Sequence, residues 1–228
     1  MGTSSIDKLR QDVLEANLAL PREGLVAGTA GNVSGIARRD GVFVIKPSGV
    51  PYEKIGAEDL VVMNTEGDVV SGDLRPSVDW PHHLEIYRRM PDVGAVVHTH
   101  SVYATMFAMI GRPIPVYSTA HADIFGTEIP CTPYVDNIAD HIGRAILEHR
   151  RAGCPAMLLG CHGAFTFDAT VGKALKAAVM LEYVAKTCKG ALELAAVLGE
   201  KLEPFPEDRA KLWYDRHHGG IYGQEEGG

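Results

Sequence analysis

The chain has 228 residues, 46% of them hydrophobic, which suffices for one sizeable core and does not call for a second domain. A formal net charge of -7 with no concentrated Lys/Arg block argues against a nucleic-acid-binding surface. No run approaches the roughly 18 apolar residues that a bilayer span needs, and the four scattered cysteines, Cys131, Cys154, Cys161 and Cys188, suggest neither a zinc ribbon nor a disulfide framework but reduced, mostly buried thiols.

The first 20 residues carry charges through their apolar periodicity and lack the features of a signal peptide, so a cytoplasmic protein is expected. Ile6, Leu9, Val13, Leu14, Leu18 and Leu20 recur at helical spacing, and Pro21 with Gly24 supplies the stop. GVFVIKPSGV (41–50) is β-branched up to its Pro-Ser-Gly end, and LVVMNTEGDVV (60–70) reads as two strands around a turn. A helix is predicted over 79–90, with Pro81 tolerated in its first turn and Pro91 ending it. The strand AVVHTH follows, then a helix over 102–110, extended pieces at 114–118 and 128–132, a helix over 136–151 and a buried strand at 156–159. Val171, Ala174, Leu175, Ala178, Leu181, Val184, Ala185 and Cys188 form one helical stripe for core packing. Strands and helices interleave without a regular βαβ beat, which predicts a mixed α/β domain with a largely antiparallel sheet.

His98 and His100 end an apolar strand two residues apart and therefore share a face, where they can hold a metal ion or bond to one another. A third candidate ligand is His162 in LLGCHGAF, at a glycine-flanked turn after a buried strand; three neutral imidazoles with one open position form the ligand set of a catalytic zinc site. Cys161 is the alternative third ligand, and strand alternation would instead make it a core thiol. His82, His83, His141, His149, His217 and His218 have weaker claims, and most are expected to be solvated. TAGNVSG (29–35), KPSGV (46–50) and RPSVDW (75–80) each set a small polar residue beside Gly or Pro; each can bring backbone amides to an anion or form an ordinary turn.

The ordered motifs LEANLAL, GNVSG, VFVIKPSGV, RPSVDWPHH, VVHTHS, STAHADIFG, IPCT, LLGCHGAF and IYGQ run from the opening helix to Gln224 and closely resemble the class II aldolase/adducin family, within it the L-ribulose-5-phosphate 4-epimerases. The resemblance implies one α/β catalytic domain over 1–224, its central, mainly antiparallel sheet flanked by helices, with a flexible tail at 225–228. It implies a homotetramer with metal sites at subunit boundaries, a small sugar phosphate as substrate, and no nucleic-acid or membrane partner. By position, His98, His100 and His162 resemble the metal ligands, with Asp79 as a fourth ligand or a carboxylate beside them. The ion would be zinc, with manganese or cobalt as alternatives. Asp123 and Tyr222 resemble the two proton-handling groups, Tyr222 reaching over from a neighbouring subunit; Ser48, Gly49 and Ser77 would bind phosphate, Asn32 and Lys46 would line the substrate, and Thr119 would steer an aldehyde.

The implied reaction interconverts L-ribulose 5-phosphate and D-xylulose 5-phosphate by breaking and remaking the C3–C4 bond. The alternative is an L-fuculose-phosphate-type aldolase, or a decarboxylase, on a related sugar phosphate. An adducin-like scaffold without catalysis and a metal-dependent hydrolase are the readings from other classes. Val78 stands where the epimerases carry a second hydroxyl residue, the segment after IPCT is shorter than theirs, and no clear counterpart of their tail histidine appears, His217 and His218 being the residues nearby.

Overall fold

The structure, a computed structural model, describes residues 5–219. Among these, helix α1 (Ser5–Arg22) precedes strands β1 (Asn32–Ala37), β2 (Val42–Ile45), β3 (Val61–Asn64) and β4 (Val69–Ser71). Helix α2 (Trp80–Arg89), β5 (Ala95–Thr99), α3 (Val102–Met109), α4 (Thr119–Phe125) and β6 (Cys131–Thr132) follow. The chain continues with α5 (His141–His149), β7 (Ala156–Leu159), β8 (Gly163–Asp168), α6 (Val171–Leu198) and α7 (Glu207–His218).

The strands form one eight-stranded sheet in the order β4-β3-β2-β1-β5-β8-β7-β6, antiparallel throughout except for the β6–β7 pair. Alternation along each strand divides the core between the two faces. Val33, Val44, Val62 and Val97 pack with Val13, Leu20, Ala174 and Ala178 of α1 and α6. Their sequence neighbours Phe43, Ile45, Met63 and Val96 pack on the other face with Leu84, Ile86 and Tyr87 of α2 and Ile142 and Ile146 of α5. Asn17 ties α1 to the sheet: its side chain is fully buried, accepts from Val33 N at 2.9 Å and donates to Val13 O at 2.8 Å and Val33 O at 3.2 Å. This is the α/β domain expected from the interleaved pattern.

Several local expectations are corrected. The helix predicted over 136–151 begins only at His141, because Asp136 Oδ1 accepts from Ile138 N at 2.9 Å and from His141 Nδ1 at 2.8 Å, closing a local turn in place of a helical one. Beyond Cys188, the end of the predicted stripe, α6 continues to Leu198 through the helix formers of ALELAAVL, with Leu194, Val197 and Leu198 exposed. Helices α4 and α7 and strands β1 and β8 are elements that the periodicity does not signal. Among the described residues no helix is long and apolar enough to cross a membrane.

Candidate metal centre

The centre grows from the end of β5. Asn32 faces His98, and Ser34 faces Val96, across the β1–β5 register, so Asn32, Ser34, Val96 and His98 share the sheet face covered by α2. His100 lies two residues beyond His98, and the 160–162 turn between β7 and β8 returns His162 to the same end, its amide donating to Leu159 O at 2.9 Å. Two glycines let the backbone close in. A Cβ at Gly163 would lie 2.4 Å from Thr99 O, and one at Gly31, whose φ is +76°, would lie 2.8 Å from His98 O.

One ring nitrogen from each of His98, His100 and His162 belongs to a set whose members all lie within 4.8 Å of one another. His98 Nε2 and His100 Nε2 are 3.0 Å apart. On the far side of its ring, His98 Nδ1 donates to Ala164 O at 3.0 Å; a carbonyl only accepts, so the hydrogen is on Nδ1 and Nε2 presents its lone pair to the cluster. Burial lowers the His98 pKa to about 4 against the pull of Asp79, and burial also lowers His100 and His162. Three neutral imidazoles with converging nitrogens fit a divalent ion in both charge and donor type.

Asp79, at the N-cap of α2, is beside this cluster. Its Oδ2 accepts from Asn32 Nδ2 at 2.7 Å and Ser77 Oγ at 3.3 Å, and Asn32 Nδ2 also donates to Ser77 Oγ at 3.0 Å. Burial pushes the Asp79 carboxyl up, but His98, His83 and the Asn32 bond outweigh it, and the net direction is down. Asn32 Oδ1 is buried and has no hydrogen-bond partner among the described residues. Lys46 is only 1% exposed; its Nζ has two long contacts, to Thr29 O at 3.3 Å and Pro47 O at 3.4 Å, and sits 4.7 Å from the centre of the Tyr52 ring. Burial lowers the Lys46 pKa and Asp79 opposes it. Ser77 N donates to Lys46 O and Ser48 N to Arg75 O, both at 2.9 Å, so the KPSGV and RPSVDW segments run side by side, with Ser77 buried and Ser48 and Gly49 exposed.

The structure thus brings Asn32, Lys46, Ser48, Gly49, Ser77 and Asp79 to the histidine end of the sheet. Thr119 and Asp123 are elsewhere, on α4, whose main packing partners are α6 and α7. Asp123 Oδ1 is buried and has no hydrogen-bond partner among the described residues. Tyr222 and the 225–228 tail lie outside the described residues. Two expectations about side chains fail. His82 and His83 are fully buried, because the inward face of α2 carries them toward the sheet. Cys161 is exposed with φ +58°: the strand ends before it, and the turn directs the thiol outward, so it is not a core residue. Cys131 is half-buried, while Cys154 and Cys188 are buried as expected.

Behind Asp79 lies a polar chain that spacing alone did not reveal. Ser34 Oγ is 2.6 Å from both His83 Nδ1 and Tyr87 OH, all of them buried. The signal available in the sequence was the i, i+4, i+8 series Asp79, His83, Tyr87 on one helical face.

The sequence profile of the Class II Aldolase and Adducin N-terminal domain matches residues 11–188. An L-fuculose 1-phosphate aldolase is similar in structure, with 27% identity, a TM-score of 0.81 and coverage of 95% of this chain and 98% of its own. YgbL from Klebsiella pneumoniae, assigned only provisionally among aldolase, epimerase and decarboxylase, has 25% identity, a TM-score of 0.77 and coverage of 93% and 100%. The L-fuculose-1-phosphate aldolase of Thermus thermophilus has 26% identity, a TM-score of 0.65 and coverage of 85% and 98%.

Proposed function

The chain belongs to the class II aldolase and adducin family, and from that premise we propose that it is a metal-dependent enzyme that breaks the C3–C4 bond of a ketose phosphate by retro-aldol chemistry. The observation that carries this reading is the His98, His100 and His162 cluster with a buried cation, Lys46, at the same end of the sheet. A divalent ion held by the three histidines, zinc by preference with manganese or cobalt as alternatives, would act as a Lewis acid toward the charge developing on the C2 and C3 oxygens.

The side chains divide the remaining work. Asn32 Oδ1, buried and without a hydrogen-bond partner among the described residues, is an acceptor for a substrate hydroxyl. Lys46 places positive charge where the substrate's negative charge grows, and among the described residues no carboxylate lies within hydrogen-bond distance of its Nζ. Ser48, Gly49 and Ser77 hold the phosphate. Asp123 removes the C4 hydroxyl proton; the C3–C4 bond breaks, its electron pair passes to the C2–C3 unit, and C4 becomes an aldehyde. Thr119 steers that aldehyde. Tyr222, reaching over from a neighbouring subunit, serves its opposite face, so that recombination after the aldehyde turns inverts C4. This requires a homotetramer with sites at the subunit boundaries, and such an enzyme would work in the cytoplasm.

The sequence motifs favour epimerisation of L-ribulose 5-phosphate to D-xylulose 5-phosphate. The similarity to L-fuculose 1-phosphate aldolase over 95% of the chain favours a second reading, in which the fragments are released. Incubating zinc-loaded protein with each phosphate separates them. Epimerisation yields D-xylulose 5-phosphate with little free dihydroxyacetone, whereas cleavage of L-fuculose 1-phosphate yields dihydroxyacetone phosphate and lactaldehyde. No turnover of either phosphate by metal-loaded protein would refute retro-aldol cleavage of these substrates.

A further inference from the structure

Helix α3 joins the two segments that carry His100 and His162. It starts at Val102, directly after the N-cap Ser101 that follows His100. At its other end Ala108 O accepts at 3.0 Å from the backbone N–H of Cys161, the residue before His162. The helix therefore spans the gap between the two histidine-bearing segments. His98 has an anchor of its own, the bond from Nδ1 to Ala164 O, whereas among the described residues the only hydrogen-bond contact of the His100 ring is the 3.0 Å approach to His98 Nε2. His100 is thus placed by its backbone, and that backbone is only as fixed as the start of α3.

A helix leaves its first N–H groups without partners, and the N-cap side chain commonly satisfies one of them. Ser101 does not: it makes no side-chain cap bond, and its buried Oγ has no hydrogen-bond partner among the described residues. Glu182, on α6, does the capping from across the fold. Its Oε1 accepts from Tyr103 N at 2.9 Å, and its Oε2 accepts from Tyr103 N at 3.1 Å and from Ala104 N at 2.9 Å. The carboxylate also meets the positive end of the helix dipole. One turn further along α6, Lys186 Nζ lies 5.6 Å from the centre of the Tyr103 ring, and Leu181, Val184 and Ala185 share a core cluster with Ala104, Phe107 and Ala108. We propose that Glu182 is a positioning residue of the metal centre: by capping α3 it holds the junction that carries His100 and, through Ala108 O, the turn that carries His162. The proposal rests on the metal-site part of the functional reading and is independent of which sugar phosphate is used.

Two measurements on the whole protein test it. Zinc affinity, read by competition with a chelator, should fall about tenfold in Glu182→Ala, the low end of what groups supporting metal ligands contribute. Glu182→Gln should recover part of that loss, because its amide oxygen still accepts from one of the two N–H groups. Arg38→Ala is the control for lost capping alone: Arg38 donates to Tyr87 O, Met90 O and Val93 O at the far end of α2, so its removal should leave zinc affinity unchanged. An unchanged affinity in Glu182→Ala, or an equal fall in Arg38→Ala, overturns the role. In the metal-free protein, amide exchange followed by NMR should quicken at Tyr103 and Ala104 in Glu182→Ala and stay slow at Val97 inside β5; unchanged exchange at both capped amides refutes the cap. Should Glu182→Ala fail to fold, Glu182→Gln serves, with a smaller fall in affinity and faster exchange at one of the two amides, and no change in either overturns the proposal. If these results hold while neither phosphate is turned over, the positioning stands and the reaction falls.

Discussion

Replacing His98, His100 or His162 singly with alanine should take bound zinc from one ion per chain to near zero after dialysis, since an open three-ligand site has no protein ligand to spare. Full occupancy in all three variants, by elemental analysis, would remove the assignment. Ser77→Ala should weaken phosphate binding by roughly 0.5–1.5 kcal/mol, the contribution of one neutral bond, and leave zinc content unchanged. Equal turnover of the phosphate and the free sugar by wild-type protein would show that no phosphate site exists there. At this scale the histidine cluster was legible in the sequence, because an i, i+2 pair at a strand end shares a face and the LLGCHGAF turn returns a third histidine to it. The Ser34, His83 and Tyr87 chain was invisible, because its contacts join β1 to α2, 49 and 53 residues apart. Cys161 was misplaced because one turn residue with positive φ reverses the alternation on which its burial was argued.

Although β1 reads in sequence only as a glycine-rich segment, the element proves to be central, and Asn17 of α1 bonds to its backbone at Val33. Asn17→Ala should cost about 2–4 kcal/mol in a denaturant midpoint measurement, because it strands the buried N–H and C=O of Val33 together. A loss below about 1 kcal/mol, the size of one ordinary hydrogen bond, would mean that α1 is not anchored through this residue. The long periodic elements were legible. Helix α1, the β3–β4 hairpin, α2, β5, α3 and β7 all fall within a few residues of their expected positions, each bounded by Pro, Gly or a turn. Short elements rich in Gly, Ser and Ala were not, since GNVSGIA and TAHADIF acquire their strand and helix from neighbours and not from their own propensity.

Acid should destabilise the fold progressively. Burial holds His83 at about 3 and His121 at about 4, against about 6.5 in an unfolded chain, so both stay neutral in the fold and take up protons on unfolding. Their contribution is fully present above about pH 6.5 and is lost as pH falls toward the folded values, by about 1.4 kcal/mol per pH unit per group. Unfolding free energy should therefore drop by roughly 3–4 kcal/mol between pH 7 and pH 5; equal midpoints at the two values would show that these rings are protonated or exposed. The three clustered histidines come from the end of a strand in the middle of the sheet and from a turn two strands later in the chain, and no unfolded chain keeps residues 98 and 162 together. An ion that binds only the native arrangement acts by mass action on the whole folding equilibrium. At a free concentration a thousand times its Kd it would add about 4 kcal/mol, and the melting temperature would rise by roughly 10 °C. Heating curves recorded with zinc and then with excess chelator would thus titrate the site calorimetrically, with no substrate present.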